Sequence, residues 1–218
     1  MPISPSRILY EDPHLLAVDK RSGELVVKGS GTVEKLPLLD FLKKDYPGLR
    51  ALHRLDFETS GVVLFARTKE AYEQVRASDF AGWKKIYSTL VMGRMPRPKG
   101  TIATPLPARN GKGTVEAVSH YTVLERFANS SFLDVEIETG RHHQIRKHLA
   151  EIGHPLALDD KYGHMKFNRL FTKELGFRKF FLHAKRVELP HPKTGEVIAV
   201  EAPLPKPFAD LLRVLRSL

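Results

Sequence analysis

The sequence of 218 residues contains no cysteine. Disulfide bonds, thiolate zinc sites and cysteine nucleophiles are therefore excluded. No run approaches the roughly 18 apolar residues that a membrane-spanning helix requires, so we expect no membrane partner. Residues 1–7 contain two prolines and no apolar stretch of the kind found in secretory leaders. These absences predict a protein of the reducing cytoplasm.

Acidic residues are in short supply. The chain has 25 Asp and Glu against 35 Lys and Arg, a formal net charge of +10 and a pI near 9.8. Such a balance favours a nucleic-acid partner, because protein contacts to phosphates release counterions and supply affinity. Positive charge that serves solubility alone is the alternative. A membrane surface is disfavoured, since the basic residues are spread along the chain.

Strand-like runs outnumber helical ones. Alternating or β-rich segments predict strands at 15–18, 61–66, 86–92, 115–124, 132–137, 180–189 and 197–202. Apolar residues at helical spacing predict helices at 37–44, 69–78, 141–152 and 207–215. Turn residues at 190–195 predict a hairpin, and 95–100 an exposed loop. This pattern predicts an α+β fold with a mixed, mainly antiparallel sheet and flanking helices, in one domain over residues 1–218.

The most informative segment, HRLDFETSG at 53–61, places Asp56 two residues after Arg54 and just ahead of an apolar strand. A loop that is held by a rigid sheet is a common position for side chains that touch a ligand. An isolated aspartate more often serves a turn or a helix cap. Arg54 and a second arginine at position 146 favour the charged carboxylate that a nucleophile needs.

Segment 53–61 resembles the signature of RluA-type pseudouridine synthases, His-Arg-Leu-Asp, two variable residues and Thr-Ser-Gly. Further matching segments follow in the family's order, at 139–146, 153–155, 160–163, 182–184 and 191–196. The chain therefore resembles this family of RNA uridine isomerases from about residue 8 to 204. The resemblance implies the pseudouridine synthase fold, with a central RNA-binding cleft in one catalytic domain over 1–218.

The resemblance also implies roles for individual residues. Asp56 is implied as the catalytic nucleophile and Arg146 as its ion-pair partner. Tyr87 is implied to lie against the target base, Leu182 to pack near the uracil, and Arg54 to help hold the flipped nucleotide. The residues alone leave simpler alternatives open, namely core positions for Tyr87 and Leu182 and a phosphate contact or surface ion pair for Arg54.

The implied reaction cleaves the glycosidic bond of uridine and joins C5 of the uracil to the ribose. It requires no cofactor. His142, His143 and His148 lie close in the sequence, but they lack the His-Glu-x-x-His spacing and any cysteine, so we expect no metal. Gln144 and His143 are expected to form hydrogen bonds within the protein framework. Where the family has Lys-Pro-x-Gly, this chain has a departure, Lys20-Arg21-Ser22-Gly23.

The sequence indicates the RNA target less directly than it indicates the reaction. Segment 159–163 and the C-terminal half are similar to the branch that acts on large-subunit ribosomal RNA, whereas the short length is similar to members that also modify transfer RNA. We expect ribosomal RNA, and a monomer. Many relatives carry a separate RNA-binding domain ahead of the core, and this sequence starts almost at the core. The basic candidates for phosphate contacts are Lys84, Lys85, Arg94, Arg97, Lys99, Arg109, Lys112, Arg178, Lys179, Lys185 and Arg186.

Two rival functions remain at this point. A non-catalytic RNA-binding or ribosome-assembly factor on the same fold would bind RNA without isomerising it. An aspartate-dependent phosphate hydrolase would need clustered carboxylates for magnesium and a phosphate-binding loop. Neither feature is evident in the sequence. The intact set of Asp56, Tyr87 and Arg146 argues against both rivals, so the isomerase is the favoured function.

Overall fold

The structure, a computed structural model, describes residues 3–28, 36–108 and 111–218. Within these ranges, the strands are β1 (Ile8–Glu11), β2 (Leu15–Lys20), β3 (Arg50–Ala51), β4 (Ser60–Ala66), β5 (Lys84–Met92), β6 (Lys99–Ile102), β7 (Leu106–Pro107), β8 (Thr114–Val115), β9 (Ser119–Arg126), β10 (Ser130–Ile137), β11 (Leu182–Pro190) and β12 (Val197–Glu201). The helices are α1 (Leu38–Leu42), α2 (Lys69–Ala77), α3 (Gln144–Glu151), α4 (Met165–Lys173) and α5 (Lys206–Arg216), besides a 3₁₀ turn at Pro5–Arg7. This content confirms the predicted α+β class.

The chain forms two compact units. Unit 1 comprises Met1–Lys84 and Ala184–Pro203, and unit 2 comprises Lys85–His183 and Leu204–Leu218. The single catalytic domain over residues 1–218 that we predicted from the sequence remains a prediction. The longest helix in the described ranges has 11 residues, and none there has the length and apolar character that crossing a bilayer demands.

Antiparallel strands form the sheet of unit 1. β1 pairs with β2, β2 with β4, β3 with β4, and β11 with β12. All seven residues of β4 are buried, because neighbours cover both of its faces. Ala71 and Val75 of α2 pack into the same apolar cluster as Leu64 of β4. Buried apolar surface of this kind is the main source of stability for the unit.

The motif at 191–196 closes the hairpin between β11 and β12, as predicted. The Nδ1 atom of His191 accepts backbone N–H groups of Lys193 and Thr194, at 3.2 and 3.1 Å. An imidazole that accepts at Nδ1 carries its proton on Nε2. His191 therefore donates from Nε2 to Oδ2 of Asp12, 2.8 Å away, which connects the hairpin to the turn after β1.

Within unit 2, antiparallel strands pair in the order β5, β10, β9, β6. Phenylalanines form much of the core beneath them. The rings of Phe181 and Phe208 stack with centroids 4.0 Å apart, and Phe171 of α4 lies in the same cluster. These contacts attach α4 and α5 to the segment that leads into β11.

Several local predictions are confirmed and others are wrong. The helix predicted at 69–78 is confirmed as α2, and Thr68 caps it by accepting the N–H of Ala71. α3 starts at Gln144 rather than at residue 141, because His143 has a positive φ of 56° that interrupts the helix. The segment 95–100 is not an exposed loop throughout. Met95 is buried, since its N–H bonds to Ser131, and β6 starts at residue 99.

Gly61 supplies the first stability prediction. Its φ is 110°, and a Cβ atom there would lie 2.2 Å from the carbonyl oxygen of Ala184 in β11. We expect Gly61→Ala to lower the free energy of unfolding by at least about 2 kcal/mol, from backbone strain and steric overlap. Urea unfolding followed by the fluorescence of Trp83, the single tryptophan, measures it.

Gly140→Ala is the matched control, because a Cβ at Gly140 meets open space. Its free energy of unfolding should stay within about 0.5 kcal/mol of the wild-type value. Equal losses from the two variants would contradict the packing described at Gly61.

Candidate active site

Asp56 lies where the sequence predicted it, in the loop between β3 and β4 of unit 1. Its side chain is half-buried, Leu55 beside it is buried, and Arg54 is exposed. The carbonyl oxygen of Asp56 accepts the N–H of Thr59 at 3.2 Å, which closes a turn. Asp56 is therefore held by a fixed loop, while the Arg54 guanidinium is accessible to a ligand.

Lys20 fixes this loop from below. Its side chain is fully buried at the end of β2, and Nζ donates to the carbonyl oxygens of Arg21, Phe57 and Thr59 at 3.2, 3.1 and 2.5 Å. Two of these acceptors belong to the turn that follows Asp56. Three carbonyl acceptors satisfy the three donors of an ammonium group, which is what makes its burial tolerable.

The charge environment of Lys20 connects it to Asp56. Burial lowers the pKa of Lys20 to about 8, and the negative charges of Glu24, Asp56 and Glu58 oppose this decrease. The buried ammonium therefore provides a positive charge beneath the Asp56 loop.

Arg146 is the centre of a second arrangement, in unit 2. Its side chain is 5% exposed, and its Nε and Nη2 atoms each donate to one carboxylate oxygen of Asp159 at 2.7 Å. The rings of Tyr162 and Phe180 lie 5.2 and 4.9 Å from the guanidinium carbon. A bidentate ion pair with aromatic neighbours leaves the guanidinium little freedom to move.

Asp159 is well adapted to this role. Burial alone would raise the pKa of its carboxyl group, but hydrogen bonds from Arg146 and from the N–H groups of Tyr162 and Lys161 outweigh burial and hold that pKa below its usual value. Both N–H groups reach Oδ1 at 2.9 Å. Asp159 is therefore charged throughout the neutral range, as an ion-pair partner of Arg146 must be.

Hydrogen bonds of two buried side chains, Gln144 and His148, hold α3 against the start of β9. Gln144 donates to the carbonyl oxygen of Val118 and to the hydroxyl of Ser119, and accepts from Thr139. His148 uses both ring nitrogens, with Ser119 at 2.9 Å and the carbonyl oxygen of Thr104 at 3.0 Å. The predicted framework role of Gln144 is confirmed. His148 also serves the framework.

Tyr87 and Leu182 lie on two backbone segments of unit 2 that are joined by a hydrogen bond. Tyr87 lies in β5 opposite Val135, and Leu182 starts β11. The hydroxyl of Thr89, two residues beyond Tyr87, donates to the carbonyl oxygen of Phe181 at 2.7 Å. Tyr87 and Leu182 are both largely buried, at 9% and 4% exposure. Burial at this level is compatible with a core position and with a wall of a closed site.

The five predicted site residues thus fall into two groups. Unit 2 brings Arg146 near Leu182 through Phe180, and Tyr87 near Leu182 through Thr89. Unit 1 holds Asp56 and Arg54 in one loop. The predicted ion pair between Asp56 and Arg146, and the role of each residue, stay predictions.

Sequence reasoning missed Asp159 and Lys20 as partners in these arrangements. The only available signal was that both lie in segments with family resemblance, at 159–163 and 20–23. Arg186 was a candidate for phosphate contacts, but it forms ion pairs with Glu188 and Glu201, so its charge is already compensated. Arg109, another candidate, lies outside the described residues.

Comparison with known proteins agrees with the resemblance in the sequence. The model of the RNA pseudouridylate synthase family matches residues 14–151. The chain is 37% identical over 226 residues to ribosomal large subunit pseudouridine synthase C of Salmonella typhi, covering 96% of this chain and 70% of that protein. It is 37% identical over 234 residues to ribosomal large subunit pseudouridine synthase D of Nitrosomonas europaea, covering 98% of this chain and 66% of that protein.

A solved structure supports the same fold. Human RNA Pseudouridylate Synthase Domain Containing 4 has a TM-score of 0.79 and 26% sequence identity, over 97% of this chain and 93% of that chain. The predicted pseudouridine synthase fold is therefore confirmed.

The Arg146 to Asp159 ion pair can be tested by stability. Asp159→Asn keeps the shape of the side chain but leaves the buried guanidinium without its main counter-charge. We expect a loss of about 3 kcal/mol in the free energy of unfolding, the usual cost of breaking a buried pair. Urea unfolding at pH 7 measures it.

Asp160→Asn is a close control, because the Asp160 side chain also contacts Arg146, at 3.3 Å, but is 91% exposed. Its expected loss is below about 1 kcal/mol, since solvent screens an exposed pair. A loss from Asp160→Asn as large as that from Asp159→Asn would contradict the buried pair as the stabilising interaction.

Lys20 supplies a prediction on pH. Because the pKa of Lys20 is lowered to about 8 in the folded protein from 10.5, the unfolded chain holds its proton to higher pH. Between these values the unfolded state binds more protons, so stability attributable to Lys20 rises with pH. From pH 7 to pH 10, wild type should gain about 2 to 3 kcal/mol relative to Lys20→Met.

Urea unfolding of both proteins across this pH range gives the difference. Lys44→Met, at an exposed position in the same unit, is the control for loss of a lysine side chain. A difference between wild type and Lys20→Met that stays constant with pH would show that the ammonium is not destabilised by burial.

Proposed function

Since the chain belongs to the RNA pseudouridylate synthase family, we propose that it converts specific uridines of large-subunit ribosomal RNA to pseudouridine. The main support for large-subunit ribosomal RNA as the substrate is the 37% identity to a ribosomal large subunit pseudouridine synthase over 96% of this chain. The names of the relatives described above give no support to transfer RNA or to a non-catalytic binding factor. The protein acts as a monomer in the cytoplasm.

Asp56 is the catalytic nucleophile in this proposal. Its position in a loop fastened by Lys20 and by the turn to Thr59 supports the assignment, because a nucleophile must be held in place before the substrate arrives. An ionised carboxylate is the form that attacks carbon.

The proposed reaction is an isomerisation that balances within the substrate. The bond from N1 of the uracil to C1′ of the ribose breaks, and a bond from C5 to C1′ forms. The hydrogen at C5 leaves as a proton, and N1 takes up a proton. Because nothing is oxidised or reduced overall, the reaction proceeds without a cofactor.

Tyr87, Leu182 and Arg146 are the proposed substrate-binding residues of unit 2. In this proposal the Tyr87 ring stacks on the uracil and its hydroxyl helps to move the C5 proton. Leu182 packs against the uracil. Arg146 is a substrate-binding residue in this proposal, and its ion pair with Asp159 holds the guanidinium in place before the substrate arrives.

Arg54 acts on the RNA rather than on the reacting bonds. A uridine must leave its stack before a side chain can reach the sugar, and the vacated space or the flipped phosphate needs a partner. Arg54 is exposed beside Asp56, which suits that contact.

Release of tritium from RNA labelled at C5 of uracil tests the proposal, because moving the glycosidic bond to C5 expels that hydrogen. Wild type should release tritium from transcribed large-subunit ribosomal RNA. Asp56→Asn should lower the rate by more than about 1,000-fold, as loss of a nucleophile does, while RNA affinity changes little.

Asp45→Asn, an exposed aspartate of the same unit, is the control and should keep the wild-type rate. A rate for Asp56→Asn near that of wild type would remove Asp56 from the reaction. Tight RNA binding by wild type without any tritium release would favour the binding-factor alternative.

A further inference from the structure

Residues 161–179, which contain α4, carry an unusual share of the positive charge. They include one acid, Glu174, and six cations, namely Lys161, Lys166, Arg169, Lys173, Arg178 and Lys179. Their balance of +5 is half of the +10 carried by 218 residues. Only two of the six, Arg178 and Lys179, were singled out from the sequence, because α4 was not predicted.

All six cations are exposed and uncompensated. Within the described part of the chain, none of them forms an ion pair, and Lys161 alone has a ring contact, with Tyr162. Other cations are used differently, since Arg186 pairs with two glutamates and Arg216 with Glu125. Like charges left together on a surface cost stability, which suggests that an anionic partner neutralises them.

α4 is fixed to the segment that holds Arg146. The side-chain oxygen of Asn168 accepts the N–H of Leu158 at 2.8 Å, and its Nδ2 donates to the carbonyl oxygen of Asp159 at 3.0 Å. Phe167 and Phe171 are buried on the inner side of the helix. The exposed cations therefore have a defined position relative to the Arg146 to Asp159 ion pair, within one unit.

The spacing of the cations also suits a strand of phosphates. Lys166, Arg169 and Lys173 recur at intervals of three and four residues, so they share one face of α4. The helix rises about 1.5 Å per residue, so the stripe extends roughly 10 Å. Arg178 and Lys179 follow in the loop after α4. A stripe of this length contacts more than one phosphate at a time.

We propose that the α4 face, defined as Lys166, Arg169, Lys173, Arg178 and Lys179, binds phosphates of the RNA that flanks the reacting uridine. This rests on the proposed function for the identity of the RNA. The α4 face carries no reacting group, and it adds affinity outside the site where the uridine is isomerised. Two exposed acids lie nearby, Glu174 within residues 161–179 and Asp160 just before them, and the net charge over residues 160–179 is still +4.

A triple variant, Lys166→Gln with Arg169→Gln and Lys173→Gln, tests the proposal by binding. The RNA is a hairpin fragment of large-subunit ribosomal RNA that contains a uridine isomerised by the protein. The affinity of the protein for this RNA is measured by fluorescence anisotropy over a range of KCl concentrations. Each lost phosphate contact flattens the plot of log affinity against log salt by about 0.7 to 0.9. We expect the α4 triple variant to flatten the slope by about 2 and to bind at least about 10-fold more weakly in low salt.

The matched control is Lys43→Gln with Lys44→Gln and Lys193→Gln. These lysines are exposed in unit 1 and form no ion pair within the described residues, so the variant loses the same charge elsewhere. Its slope should be close to that of wild type. Equal slopes for the two triple variants would overturn the proposal and assign the charge to solubility. Circular dichroism and urea unfolding establish that both variants are folded.

Tritium release separates this proposal from the proposed function. For the α4 triple variant we expect an unchanged kcat at saturating RNA and a KM raised at least about 10-fold, because the affected contacts lie outside the reacting nucleotide. If wild type releases no tritium but the salt slope still depends on the α4 face, the proposed function fails and the RNA surface stands. If wild type is active and the α4 triple variant matches its control in KM and slope, the surface proposal fails alone.

Discussion

The buried ion pair between Arg146 and Asp159 is the interaction on which much of unit 2 depends. A guanidinium that is 5% exposed needs a fixed counter-charge, and Asp159 provides one through two hydrogen bonds of 2.7 Å. The loop after Asp159 then bonds back to the carboxylate, and Asn168 ties α4 to its backbone. Compensation of one buried charge therefore organises α3, the loop and α4 together.

Unit 1 solves a similar problem by different means. The buried ammonium of Lys20 has backbone carbonyl oxygens as partners, two of them in the turn after Asp56. In both units a buried cation fixes a segment that carries a proposed site residue. Groups that are held in place before the substrate arrives need little reorganisation during the reaction, and such preorganisation accounts for a large part of enzymatic rate enhancement.

The sequence predicted the larger features because they depend on local pattern. Long β-rich runs such as 132–137 and the turn residues at 190–195 are decided by neighbours along the chain. The motif around Asp56 was equally visible. The partnership of Arg146 with Asp159 was not, since it requires α3 and the following loop to fold against each other. α4 was missed although Phe167, Leu170 and Phe171 recur at helical spacing, and tertiary packing of Phe167 and Phe171 stabilises the helix.

Isomerisation of uridine in large-subunit ribosomal RNA is the central proposal. The most direct measurement maps pseudouridines by carbodiimide modification and primer extension, after the purified protein acts on unmodified transcripts of large-subunit ribosomal RNA and of transfer RNAs. We expect new pseudouridines at one or a few defined positions of the ribosomal transcript and none in the transfer RNAs. Modification confined to transfer RNA, or none in either, would contradict it.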